Sequence, residues 1–219
     1  ISMQKPAAIL FDLDGTLADT APDFIDVVHS LRQDDNLPPL TDDAIRQQVS
    51  NGGLALACLT WNIASDDPQA WPLRQRLLDR YEQLIGQRAR LFPGFETLLP
   101  ALEQQQIRWA IVTNKPRLYT DLLLPRISVH CDVVVCPEDV EHRKPAPDAL
   151  LKAAHDLGLS AEQCWYVGDH IRDIEAARAA GMPSIAATFG YIEDGDDPAS
   201  WQADRYIATP QALLSLLPE

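Results

Sequence analysis

The 219-residue chain is poor in cysteine: Cys58, Cys131, Cys136 and Cys164 are the only four, and none forms a CxxC pair. His130-Cys131 with Cys136 comes nearest to a soft-metal motif, but the second ligand pair of a zinc site is missing. Scattered, unpaired cysteines give no disulfide framework and fit a reducing cytoplasm. Positive charge is also scarce: 18 Lys and Arg stand against 32 Asp and Glu, a formal net charge of -14. Such a surface disfavours nucleic acid and anionic membrane as partners, and an anionic substrate then needs a local cation. No apolar run approaches the roughly 20 residues of a membrane span, and no secretory signal is recognisable. Internal repeats and low-complexity segments are lacking too. Ile1 and Ser2 stand before Met3 and read as a remnant of expression cloning.

What is present is ordinary globular composition, 46% hydrophobic and 23% charged, in a length suited to one domain carrying an insertion. The most informative stretch runs Ile9-Leu10-Phe11-Asp12-Leu13-Asp14-Gly15-Thr16-Leu17. An apolar strand over residues 7–11 stops at two carboxylates. With a side-chain period of two, Asp12 and Asp14 are expected to point the same way. Two like charges so placed call for a hard cation between them, or for a nucleophile beside an acid/base. The competing reading is a strand followed by an Asp-Gly turn.

Beyond Leu17 the pattern becomes helical. Asp19 and Thr20 offer caps, with Phe24, Val27, Val28 and Leu31 at helical spacing. Thr41 caps a second helix, Ser50-Asn51-Gly52-Gly53 breaks the chain before a third, and Asp66-Asp67-Pro68 opens a fourth. Residues 17–90 therefore read as four helices without a strand. From Leu91-Phe92-Pro93-Gly94 onward, strands and helices alternate: strands over 109–112, 133–135, 165–167 and 184–187, an edge strand over 205–207, and a last helix after Thr209-Pro210. Ser160 to Gln163 forms a capping box, and Gly181 ends an alanine-rich helix. The expected fold is α/β: a Rossmann-like parallel sheet core (residues 1–17 and 92–219) with an inserted helical cap (18–91).

In such sheets, ligands bind at the carboxyl ends of strands. Four candidate groups fall there: Asp12 with Asp14, then Thr113-Asn114, then Lys144 in the loop before the Trp165 strand, then Gly168-Asp169-x-x-x-Asp173. In order and context they resemble the four motifs of the haloacid dehalogenase superfamily, Asp12-Leu13-Asp14-Gly15-Thr16-Leu17 being similar to its phosphatase signature DxDGT[LV].

That resemblance implies a Mg2+-dependent phosphomonoesterase. Asp12 would be the nucleophile and Asp14 the general acid/base, its main-chain carbonyl also binding the metal. Thr113 and Asn114 would contact the phosphoryl group, and Lys144 would pair with Asp12 and the phosphoryl oxygens. Asp169 would be the second carboxylate ligand, with Gly168 letting the backbone approach the ion. Asp173 would hold a metal-bound water or orient Lys144. Arg143 and Lys115 receive no role. All ligands being oxygen, Mg2+ fits better than Zn2+.

The position of the cap and the stretch Val112 to Pro116 are similar to the phosphoglycolate phosphatase group. Taken with Gly190-Tyr191-Ile192, Asp196-Asp197-Pro198 and Trp201, they also resemble the N-acetylmuramic acid 6-phosphate phosphatases, and both alternatives stay open. The expected substrate is a small phosphorylated metabolite carrying a carboxylate, which Asn51, Gly52 and Gly53 would meet unless they form a plain inter-helix turn. A sugar-phosphate mutase shares all four motifs. A dehalogenase lacks the second aspartate, and a non-catalytic relative would be expected to have lost one of Asp12, Asp14, Lys144 or Asp169.

Overall fold

A computed structural model describes residues 3–219; Ile1 and Ser2, read above as a cloning remnant, lie outside the described residues. The first strand, β1 (Ala8–Phe11), is buried along its whole length. Ile9 and Phe11 enter one apolar layer and Leu10 the other, as the pleat requires of a strand covered on both faces. Each large side chain so buried contributes about 1.5–3 kcal/mol.

Two-residue strand β2 (Ala18–Asp19) leads into α1 (Ala21–Asp34), α2 (Asp42–Arg46), α3 (Gly53–Trp61) and α4 (Ala70–Leu84), and β3 (Arg90–Leu91) returns. β2 pairs antiparallel with β3, Ala18 opposite Leu91 and Asp19 opposite Arg90, so entry to and exit from the helical segment lie side by side. This corrects the expectation of a strand-free stretch; two residues are too few to show a period. Within the segment, Arg76 of α4 forks onto Asp35, just past α1, with both bonds at 2.7 Å. Hydrogen bonds from Arg76 and Trp61 lower the Asp35 pKa to about 2.

The chain continues through α5 (Phe95–Gln104), β4 (Arg108–Val112), α6 (Arg117–Arg126), β5 (Val134–Val135), α7 (Asp148–Asp156), β6 (Cys164–Gly168), α8 (Ile171–Ala180), β7 (Ser184–Ala187) and β8 (Arg205–Ile207). The expected last helix is a 3-10 turn, Pro210–Leu216, capped by the Thr209 hydroxyl. The six-stranded sheet has the order β5-β4-β1-β6-β7-β8 and is parallel throughout. Phe95, Leu98 and Leu102 of α5 and Leu123 of α6 lie in the apolar layer on the Ile9 side, and the same cluster continues into the helical segment through Phe24, Leu56, Leu77 and Tyr81. The alanine faces of α7 and α8 cover the Leu10 side. Among the described residues no helix is long and apolar enough to cross a membrane.

β1 lies between β4 and β6. The chain builds one half of the sheet, then crosses β1 to build the other. The carboxyl end of β1 is therefore a topological switch point, where a crevice opens between loops diverging in opposite directions.

Candidate active site

β1 ends at Phe11, and residues 12–18 coil into a tight turn: Leu17 N–H donates to the Asp12 carbonyl and Ala18 N–H to the Leu13 carbonyl. The strand period therefore stops before Asp14, and the two aspartates take different partners. Gly15 makes the turn possible: its φ is +83°, and a Cβ there would lie 2.2 Å from Asp169 Oδ2.

Asp12 Oδ1 accepts the Leu13 N–H at 2.8 Å and Lys144 Nζ at 3.1 Å. Lys144 is 3% exposed and also donates to Asp173 Oδ1 at 2.8 Å, Tyr166 Oη at 2.6 Å and the Val112 carbonyl at 3.1 Å. Asp173 sits in the first turn of α8, where its other oxygen accepts the His170 N–H and closes a capping box. Gly168 makes room for it, since a Cβ there would fall 2.3 Å from Asp173 Cβ. Asn114 clips the Lys144 loop from the other side: its amide donates to the Lys144 carbonyl at 2.9 Å and accepts the Lys144 N–H at 3.1 Å. The Asn114 amide, expected at the substrate, is thus engaged at both ends with backbone. Thr113 Oγ1 accepts the Lys115 N–H at 2.9 Å and lines the cavity.

Asp169, fully buried at the end of β6, accepts Thr16 Oγ1 at 3.2 Å, Ser50 Oγ at 2.7 Å and the Tyr191 N–H at 3.0 Å. Asp12, Asp169 and Asp173 offer carboxylate oxygens within 4.8 Å of one another. The Asp14 side chain stands outside this cluster. Its main-chain carbonyl faces Ser50 Oγ at 3.5 Å, the same hydroxyl that reaches Asp169. Asp14 Oδ1 accepts Thr20 Oγ1 at 2.6 Å and Lys115 Nζ at 3.0 Å.

The carboxylates stand in an environment that a bound cation would relieve. Burial, then the charge of Asp173, drives the Asp12 pKa well up, while the Lys144 charge pulls against them. Burial and the Asp173 charge raise Asp169 to about 6. Burial also works against the Lys144 ammonium, but Asp12 and Asp173 outweigh it and hold its pKa above the ordinary value. Three crowded, desolvated carboxylates with one lysine leave negative charge uncompensated, and an oxygen-only donor set suits a hard divalent ion. The observed clustering thus fits the metal that the sequence implies.

Several contributors carry no sequence signal. Lys115, Tyr81, Tyr166 and Ser50 meet their partners only through the fold. Arg172, expected only as a helix residue, donates to the Asn51 Oδ1 at 3.3 Å and to the Ser50 carbonyl, and Asn51 donates to Glu193. Thr20 was readable as a helix cap, yet it makes no side-chain cap bond and its hydroxyl goes to Asp14. A cavity of about 910 Å³ opens over these groups, with Asp12, Asp14, Thr113 and Lys144 on its floor and Gly52, Gly53 and Trp71 among its other lining residues.

The sheet topology and the carboxylate–lysine cluster at the switch point define the class: a Rossmann-like α/β protein with an acidic site at the carboxyl edge of its parallel sheet. Over residues 9–187 the sequence matches the haloacid dehalogenase-like hydrolases, and the chain belongs to that family. It is 45% identical over 213 residues to a phosphoglycolate phosphatase of Xanthomonas campestris pv. campestris, covering 96% of both chains. It is 39% identical over 212 residues to an N-acetylmuramic acid 6-phosphate phosphatase of Pseudomonas aeruginosa, covering 96% of this chain and 94% of that one. A crystal structure described as a predicted phosphoglycolate phosphatase from Haemophilus somnus superposes with a TM-score of 0.84 at 25% identity, over 98% of this chain and 99% of the other. Within the family the chain is a phosphoric monoester hydrolase.

Proposed function

We propose that this phosphatase hydrolyses a small carboxylate-bearing phosphomonoester through an aspartyl-phosphate on Asp12. The observation that carries the reading is the Lys144 ammonium, held between Asp12 and Asp173 beside Asp169. Lys144 fixes the Asp12 carboxylate at the end of β1 and offers positive charge to the phosphoryl oxygens. Asp12 attacks phosphorus and the leaving oxygen departs with a proton from Asp14; water then cleaves the acyl phosphate, with Asp14 taking its proton. Asp173 and Asn114 keep Lys144 in place, and Thr113 bounds the phosphoryl site. The proposed Mg2+ would be held by Asp12, Asp169 and the Asp14 main-chain carbonyl. When bound it would neutralise phosphoryl charge and hold the group in line.

We assign residues 1–17 and 92–219 to the catalytic core and 18–91 to a cap; the paired β2 and β3 support that boundary. Four free thiols support a cytoplasmic setting.

The leaving group is read by the cavity. About 910 Å³ exceeds what a two-carbon acid fills, and apolar lining from Leu54, Leu59, Trp71 and Leu78 suits a larger body. This favours a sugar acid phosphate, such as N-acetylmuramic acid 6-phosphate, over phosphoglycolate, a close alternative in sequence. A turnover screen over both compounds, common sugar phosphates and pyrophosphate tests this. The highest kcat/KM is expected on the sugar acid phosphate; equal turnover of sugar phosphates lacking a carboxylate would overturn the substrate class.

Gly52 provides a finer test. Its φ is +90°, it precedes the first turn of α3, and a Cβ there would meet no atom within 4 Å. Gly52→Val therefore strains, without a clash at Cβ, a loop that lines the cavity through Asn51, Gly52 and Gly53. On the preferred substrate kcat/KM should fall at least about tenfold, or ~1.4 kcal/mol, with a much smaller change on p-nitrophenyl phosphate. Equal losses on both would reassign the loop to general closure.

A further inference from the structure

One buried cation has no part in the chemistry above. Lys115 follows β4, is 7% exposed, and bonds Asp14 Oδ1 at 3.0 Å and Tyr81 Oη at 2.6 Å. Its Nζ lies 5.0 Å from the Phe24 ring centre and 4.6 Å from that of Tyr81, and those rings stack at 4.0 Å. Among the described residues Asp14 is its only carboxylate partner. Thr20 Oγ1 approaches the same oxygen at 2.6 Å, and no described donor bonds Asp14 Oδ2. One carboxylate oxygen is thus pinned from two sides while the other is left for a reacting group. Phe24 belongs to α1 and Tyr81 to α4, whereas Asp14 and Lys115 belong to the loops of the sheet.

We propose that Lys115 is a positioning residue that aims Asp14 Oδ2 at the leaving-group oxygen, and that Tyr81 ties this aim to the seating of α1 and α4 over the site. An ammonium buried beside the Phe24 ring and bonded to the Tyr81 hydroxyl is held there by those groups and by the carboxylate together. If α1 and α4 lifted away, Lys115 would lose the Tyr81 hydroxyl and both rings, and Asp14 would lose a fixed donor. The acid is then correctly oriented only when the helices cover the substrate, which limits solvent access to the leaving-group step.

The proposal rests on Asp14 being the acid, and the test separates the two. Protonation matters most for a poor leaving group, so the readout is the slope of log kcat/KM against leaving-group pKa, from p-nitrophenyl through phenyl to alkyl phosphates. Lys115→Met should steepen that slope, losing roughly 10²-fold more on an alkyl phosphate than on p-nitrophenyl phosphate. Tyr81→Phe keeps the ring packing and should steepen the slope in the same direction by a smaller amount. Lys115→Met added to Asp14→Asn should steepen it no further, because both changes remove the same function. If Asp14→Asn steepens the slope but Lys115→Met and Tyr81→Phe lower every substrate equally, Lys115 supports binding or folding and the proposal fails alone. A double variant steeper than Asp14→Asn also overturns it. If Asp14→Asn itself leaves the slope unchanged, the acid assignment falls and the proposal with it.

Discussion

Asp12→Asn is expected to reduce turnover by roughly 10⁴-fold or more on every phosphomonoester, because an amide cannot form the acyl phosphate. The fold should survive. The substitution removes one member of the crowded Asp12–Asp169–Asp173 group, while Lys144 keeps Asp173 and the Tyr166 hydroxyl. The apoprotein therefore loses like-charge repulsion along with one ion pair, and its Tm should change little. Phosphate release measures the rate. Acid quench during turnover, followed by mass analysis of the peptide carrying residue 12, should find a phosphoryl adduct in the parent protein and none in the variant. Normal rates in Asp12→Asn, or an adduct on another residue, would remove the covalent mechanism whatever the family. Asp14→Asn should be less severe, roughly 10²–10⁴-fold, since the nucleophile remains.

The sheet and the order of its site loops are legible in the chain because they depend on local pattern. The apolar run before Asp12 predicts β1, and the runs before Thr113 and Asp169 predict β4 and β6. In a parallel sheet the loops after all strands leave from the same edge, so the groups that end β1, β4 and β6 are brought to one side. Orientation is different. Asp12 and Asp14 were expected side by side by strand period, but the hydrogen bonds of the 12–18 turn replace that period, and Asp14 faces Lys115 instead of the carboxylate cluster. Lys115 itself reads as an unremarkable lysine. Its partners lie 34 and 101 residues away in sequence, so nothing local marks it. Ser50 was readable only as part of a helix break, and its bond to Asp169 spans 119 residues. The cap's contribution is hidden for the same reason: α1 to α4 declare their apolar faces, but not which polar side chains those faces deliver to the site.

Removal of divalent metal should abolish activity, and Mg2+ should restore it. Ca2+ is expected to be a poor substitute, because its longer and more flexible coordination misplaces the nucleophile. A second readout does not depend on catalysis. The Asp169 carboxyl is raised by burial and by the charge of Asp173 from 3.8 to about 6. A carboxyl raised in the folded state binds its proton more tightly there than in the unfolded chain. The stability this confers is fully present below about 3.8 and is lost as pH rises through about 6. Asp12 is shifted in the same direction. The metal-free protein should therefore lose thermal stability across that window. A divalent cation needs the deprotonated carboxylates, so its stabilising effect should grow as the apoprotein weakens. Thermal melts with EDTA and with Mg2+ should nearly coincide at pH 5 and separate clearly at pH 8. In Asp169→Asn the separation should shrink towards zero, because the ion loses a carboxylate. Full activity in EDTA after verified metal removal would falsify the metal assignment. Melts that separate equally at both pH values would place the bound ion away from Asp12, Asp169 and Asp173.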